Sequence, residues 1–184
     1  MILHTDAASV AVETLNETHP DLRVETCNSY AGLADLIETI QAEVVYSVRF
    51  DGTPRFPKQA LVDSETVKWI SVGGSGTDHL QPWDPARLTV TNAAGVAADM
   101  IAEYVLGVIL TFSLDLRGFA RLQQAREWKA GKVQPVNRQT LLILGLGKNG
   151  LAIAARAKAF GMTTLGVRAR PKPTAGDRRG ARHR

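Results

Sequence analysis

Apolar residues in this chain recur in two rhythms. Short stretches rich in branched side chains read as strands: Ile2-Leu3, Leu22-Arg23-Val24-Glu25, Glu43 to Val48, Val67 to Val72 and Leu88-Thr89-Val90-Thr91. Between them the spacing turns helical. Ser9 to Asn16 carries Val10, Val12 and Leu15, and Gly32 to Gln41 sets Leu33, Leu36, Ile37 and Ile40 on one face. Strands alternating with helices predict an α/β fold with a mostly parallel, doubly wound sheet. In such sheets ligands sit at the carboxyl ends of the strands.

Asn92 to Leu116 is the most apolar part. Ala98, Ile101, Ala102, Val105, Val108, Ile109 and Phe112 recur at three- and four-residue steps, which predicts a buried helix, apolar on more than one face. Such a helix packs on the sheet and on something else, and a second subunit is one candidate. Its uncharged run, Tyr104 to Leu114, is too short to span a bilayer. A polar, charge-rich stretch follows through Lys132, and Pro135 breaks the chain before the next strand.

That strand, Thr140 to Leu144, reads as a buried central strand and ends in Gly145-Leu146-Gly147-Lys148-Asn149-Gly150. An Ala-rich helix, Leu151 to Phe160, and a strand, Thr163 to Val167, complete a βαβ unit. The glycines at 145, 147 and 150 fit the dinucleotide fingerprint: a tight turn, close backbone approach to a pyrophosphate, and close helix–strand packing. The turn residues Gly145, Leu146, Gly147, Lys148, Asn149 and Gly150 are therefore the cofactor-binding candidates, with amides at the helix start facing the anion. An acidic residue for a ribose 2′-hydroxyl belongs at the end of the second strand. Arg168 stands there, with Arg170 nearby, and the pair favours NADP while leaving NAD possible. A solvated basic strand end is the other reading of both arginines.

The strand-end rule also singles out Ser71-Val72-Gly73-Gly74-Ser75-Gly76-Thr77-Asp78-His79. A loop of this kind can turn several backbone N–H groups toward a carboxylate, or it can be a flexible connection. His79 lines a pocket or caps the loop, with capping the simpler role, and Asp78 suits a turn as well as an acid.

Charge narrows the range of partners. The net charge is +4, but Arg168 to Arg184 contributes +6, leaving the body at −2. A slightly acidic body argues against nucleic acid as a partner. The one cysteine, Cys27, fits a reducing compartment, and the first residues lack a secretory signal, so a cytoplasmic location is expected.

In order and spacing, these pieces resemble the D-isomer-specific 2-hydroxyacid dehydrogenase family, which includes glyoxylate and hydroxypyruvate reductases. The resemblance rests on Trp69 to Leu80, Val90 to Val96 leading to Glu103, Trp128 and Gly131, Gly145 to Gly150, and Ala159-Phe160-Gly161-Met162. It implies two Rossmann-like parallel-sheet domains: a flavodoxin-like substrate domain (1–92) and an incomplete NAD(P)-binding domain (93–184). It implies hydride transfer between NAD(P)H and a 2-oxo acid or D-2-hydroxy acid lying in the cleft between domains. The substrate carboxylate is then held by the backbone at Gly74, Ser75 and Gly76, and the helix near 98–112 forms a homodimer contact. The family's substrate-fixing arginine and its histidine–glutamate pair come well after the fingerprint. No catalytic residue is assigned within this chain; the trio is expected beyond residue 184, and the chain alone is expected to be inactive. The alternative is a non-catalytic nucleotide-binding or dimerisation module.

From Thr174 the chain reads Thr-Ala-Gly-Asp-Arg-Arg-Gly-Ala-Arg-His-Arg, without a large apolar residue. This ending suggests a shifted reading frame or premature end in the source, against a natural basic tail. Sequencing the gene through and beyond Arg184 is expected to reveal a family-like continuation in another frame. An intact downstream frame encoding nothing of the kind contradicts it.

Overall fold

The computed structural model describes residues 1–169. The expectations placed on Arg170 and on 174–184 lie outside the described residues. The chain divides into two compact units, Met1–Ala94 and Gly95–Arg184.

The first unit runs β1 (Ile2–His4), α1 (Ser9–Thr18), β2 (Glu25–Cys27), α2 (Leu33–Ile40), β3 (Val44–Ser47), α3 (Lys58–Val62), β4 (Trp69–Val72) and β5 (Thr89–Asn92). Its five strands form one parallel sheet in the order β2-β1-β3-β4-β5. That is the flavodoxin-like strand order, reached by crossover helices between strands that all point the same way. Ile2, Val45, Ile70 and Val72 from the strands close on Leu33 and Ile37 of α2 and Leu61 and Val62 of α3, making one core. Each fully buried Leu or Ile contributes about 1.5–3 kcal/mol by leaving water.

The second strand and the third helix depart most from the sequence pattern. The second strand lies at Glu25–Cys27 rather than at 22–25. Cys27 reaches the core and pairs with His4, whereas Leu22 is exposed, so burial rather than local alternation sets the register. The short α3 has too few residues to display a period.

The second unit holds α4 (Ala98–Ser113), α5 (Leu116–Gln124), β6 (Thr140–Leu144), α6 (Lys148–Ala159) and β7 (Thr163–Val167). β6 and β7 pair in parallel, with α6 as the crossover. The charge-rich stretch after α4 forms a helix, because Asp115 caps α5 by accepting from the Gly118 amide at 3.1 Å.

α4 corrects the expectation of a buried helix. Only Ala98, Ala102 and Leu106 are buried, one stripe at four-residue steps, and this helix packs closely along α6. Arg156 of α6 ties it down, pairing with Asp99 at 3.0 Å and Glu103 at 3.5 Å. Met100, Tyr104 and Phe112 stand 67%, 74% and 71% exposed. β6 is likewise not the buried central strand its composition suggests. Ile143 is buried, while Leu142 and Leu144 are exposed beside Leu165 and Val167 of β7. Strand side chains alternate between faces, and here α6 covers one face. Among the described residues, no helix is long and apolar enough to cross a membrane.

His4 is the one buried ionisable ring in the first unit's core. Its Nδ1 lies 2.8 Å from Ser47 Oγ, and the rings of Tyr30 and Phe50 flank it at 5.6 and 4.8 Å. Nε2 makes no hydrogen bond, although the Ser29 backbone is close enough to oppose part of the shift. Burial holds the His4 pKa below its ordinary 6.5. Above pH 6.5 folded and unfolded states are both neutral, and the native packing stands at full strength. Below it the unfolded ring takes a proton that the folded ring refuses, so stability falls toward the folded pKa. The melting temperature is expected to drop as pH falls from 6.5. His4→Asn, which keeps a partner for Ser47, is expected to flatten that slope. An unchanged slope in the variant removes His4 as its source; His79 titrates in the same sense and accounts for what is left.

Candidate functional sites at the strand ends

In the second unit β6 delivers the chain into the glycine turn. Gly145 adopts a φ of 104°, a left-handed conformation that favours glycine, and its amide bonds the Val167 carbonyl at 2.8 Å. The turn is thereby fastened to the end of β7, and Arg168, half-buried, is the next residue. Leu146 packs over Gly166 of β7, where a Cβ would collide with it. The Gly147 and Gly150 environments are opposite. A Cβ on Gly150 would strike the Gly145 carbonyl oxygen and come within 3.3 Å of Ile143, so this glycine lets α6 sit tightly on β6. A Cβ on Gly147 would meet nothing within 4 Å. Gly147 caps the start of α6, whose first turn carries no acidic residue. The first amides of any α-helix lack intrahelical acceptors, and the helix dipole adds partial positive charge there. Open backbone at Gly147 beside that helix start suits a phosphate group. The structure thus brings together Gly145, Leu146, Gly147, Lys148, Asn149 and Gly150 with Arg168. The Lys148 stem lies across Gly95, which has a φ of 91°.

The first unit has its own site, where β3 and β4 end. Gly73 continues the ladder by donating to the Ser47 carbonyl at 3.0 Å, and its missing side chain makes room for Tyr46 and Val48. Beyond it the loop is pinned by its carbonyls. Ala93 donates to Gly74 O at 3.0 Å, and the Asn92 side chain donates to Ser75 O at 2.9 Å. The amides of Gly74, Ser75 and Gly76 donate to nothing among the described residues. A loop held by its oxygens with successive amides open can offer those donors to a small anion.

Gly74 and Gly76 border a cavity of about 430 Å³, lined also by Val48, Arg49, Val72, Gly73, Asp78 and His79. That volume is in the range of small-molecule sites. His79 lines the cavity, and its ring meets Phe56 edge-on at 4.7 Å. Burial is the main force holding its pKa below 6.5, Arg49 adds to it, and Asp78 opposes both. Simple loop capping, the easier reading from sequence, is not its placement. Arg49 escaped the sequence reading altogether, although it stands two residues past the end of β3, where the strand-end rule could have found it. No group of three or more His, Cys, Asp and Glu suited to a metal occurs among the described residues.

The family model described as "D-isomer specific 2-hydroxyacid dehydrogenase, NAD binding domain" matches residues 106–183. D-3-phosphoglycerate dehydrogenase of Methanocaldococcus jannaschii is 27% identical over 136 residues, covering 72% of this chain and 26% of that protein. Glyoxylate reductase of Thermococcus litoralis is 27% identical over 142 residues, covering 71% and 43%. A solved D-isomer specific 2-hydroxyacid dehydrogenase family protein from Aeromonas salmonicida superposes with a TM-score of 0.77 at 27% identity, over 93% of this chain and 54% of that one. The family match and these relatives are all D-isomer-specific 2-hydroxyacid dehydrogenases, the family to which this chain is similar. This chain spans less than half the length of these two curated relatives. The two-unit, parallel α/β architecture is the Rossmann-like one of that dehydrogenase family.

The glycine turn makes a paired prediction. Gly150→Ala is expected to destabilise the second unit by about 1–3 kcal/mol through overpacking against Gly145 and Ile143. Gly147→Ala, in open space, is expected to cost much less. Urea unfolding of both variants checks this, and equal losses contradict the division of roles between the two glycines.

Proposed function

We propose that this chain carries the cofactor turn and the substrate loop of an oxidoreductase that moves a hydride between NAD(P)H and a 2-oxo acid or D-2-hydroxy acid, of the glyoxylate or hydroxypyruvate type. The observation that carries the reading is the steric contrast in the turn: Gly150 is filled by its own strand, and Gly147 is bare at a helix start. A dinucleotide pyrophosphate needs that bare approach. Its nicotinamide, when bound, supplies or accepts the hydride at C4. The chain's own residues bind and orient: the α6 start holds the pyrophosphate, and the amides of Gly74, Ser75 and Gly76 hold the substrate carboxylate. Arg168 and Arg170 favour the 2′-phosphate of NADP over the bare ribose of NAD. The residues that fix the substrate carbonyl and move the proton are assigned beyond residue 184.

The substrate-domain and cofactor-domain roles go to 1–92 and 93–184 in the same reading. Exposed Met100, Tyr104 and Phe112 on α4 support a homodimer contact along 98–112, and fully exposed Trp128 adds to the apolar surface of that unit. A reducing, cytoplasmic setting agrees with the lone cysteine.

Equilibrium binding of NADPH and NADH to the 184-residue chain tests the cofactor half. NADPH is expected to bind more tightly, and Arg168→Asp to lower that preference by tenfold or more, since a lost charge-assisted contact is worth about 1.5–3 kcal/mol. An unchanged ratio takes Arg168 out of the phosphate site. Failure of a folded chain to bind either dinucleotide overturns the reading.

A further inference from the structure

Parallel strands are ordinarily covered on both faces, because their crossover helices supply the cover. The β6–β7 pair is covered on one. Ile143 meets Gly150 of α6, and Leu141 joins the cluster of Val136, Ala157 and Met162 that Ile109 and Leu110 of α4 also meet. Both helices therefore lie on the same side of the pair. The other side presents the alternate residues in matched rows: Thr140 beside Thr163, Leu142 beside Leu165, and Leu144 beside Val167. All six are exposed, and the four apolar ones are each more than half exposed. No charged residue stands among them.

Charge, the rest of the chain and size together limit what can cover this face. A charged peptide or a nucleic acid finds no counter-charge on it. Residues 170–184 hold no Val, Leu, Ile, Met, Phe, Tyr or Trp, so they offer it no apolar cover. A second copy brings the same three rows and matches the face in polarity and extent. Two such faces pack about 10 Å apart with their side chains interdigitated, and related by a two-fold axis they close after two copies. The four apolar side chains leave on the order of 400 Å² bare, a size at which an exposed patch marks an interaction site. A standard interface takes about 800 Å² from each partner, so this one comes apart on dilution.

We propose that the bare face of β6 and β7 is a self-association surface, covered by the same face of a second copy of this chain. It is separate from the contact along 98–112, since α4 lies on the covered side of the strand pair. A chain that uses both surfaces assembles beyond a dimer.

Sedimentation velocity of the full 184-residue chain over a dilution series tests it. The native chain is expected to show a concentration-dependent association step. Leu165→Glu and Leu165→Lys, each alone, are expected to weaken that step tenfold or more. An equimolar mixture of the two variants is expected to recover it to within threefold of the native chain, because the opposite charges meet only when face lies on face. Tyr104→Lys on α4 is expected to leave the step in place. Thermal melts show whether the Leu165 variants fold. Where they do not, Thr163→Glu and Thr163→Lys replace them, at a position on the same face that is already polar and exposed. A chain monomeric at every concentration overturns the proposal. So does association that survives the face variants, that the mixture fails to recover, or that is lost in Tyr104→Lys alone.

Discussion

Parallel strand pairing is the constraint on which the molecule depends. When every strand runs the same way, each must be followed by a crossover, and all carboxyl ends arrive at one edge of the sheet. In the first unit that edge gathers the ends of β3 and β4, with Arg49 on one side and the glycine loop on the other. In the second, the pairing of β6 with β7 and the Gly145 amide on Val167 set the glycine turn beside Arg168. Neither constellation is contiguous in sequence. Each exists because backbone ladders bring distant loops to a common edge.

Glycine serves different ends at these edges. Gly150 and Gly73 are small because protein occupies the space a side chain would need. Gly147 and Gly74 are bare toward open space. The first kind is a packing requirement and the second leaves room for a ligand. Composition cannot separate them, because the difference lies in what stands opposite each Cα.

Helix α4 shows a related division. Its apolar residues surround the cylinder, yet α6 takes only the stripe of Ala98, Ala102 and Leu106, where two alanines allow close approach. The paired carboxylates Asp99 and Glu103 converge on Arg156 and fix that stripe toward α6. What is left over, including Met100, Tyr104 and Phe112, is surface within this chain.

Hydrophobic rhythm and glycine spacing were enough to determine the alternating α/β plan, most strand positions and the strand–glycine turn–helix at 140–159, because these depend on interactions a few residues apart. The order of strands, the true start of β2 at Glu25, and the exposure of Leu142 and Leu144 depend on which faces are covered, which a linear pattern does not record. The α5 helix was hidden because its stability comes from the Asp115 cap and one packed face rather than from an apolar run. Arg49 and His79 came to line one cavity only when the ends of β3 and β4 met at one edge. Local chemistry wrote the turn at 145–150, and long-range backbone pairing decided what faces the glycine loop at 74–76.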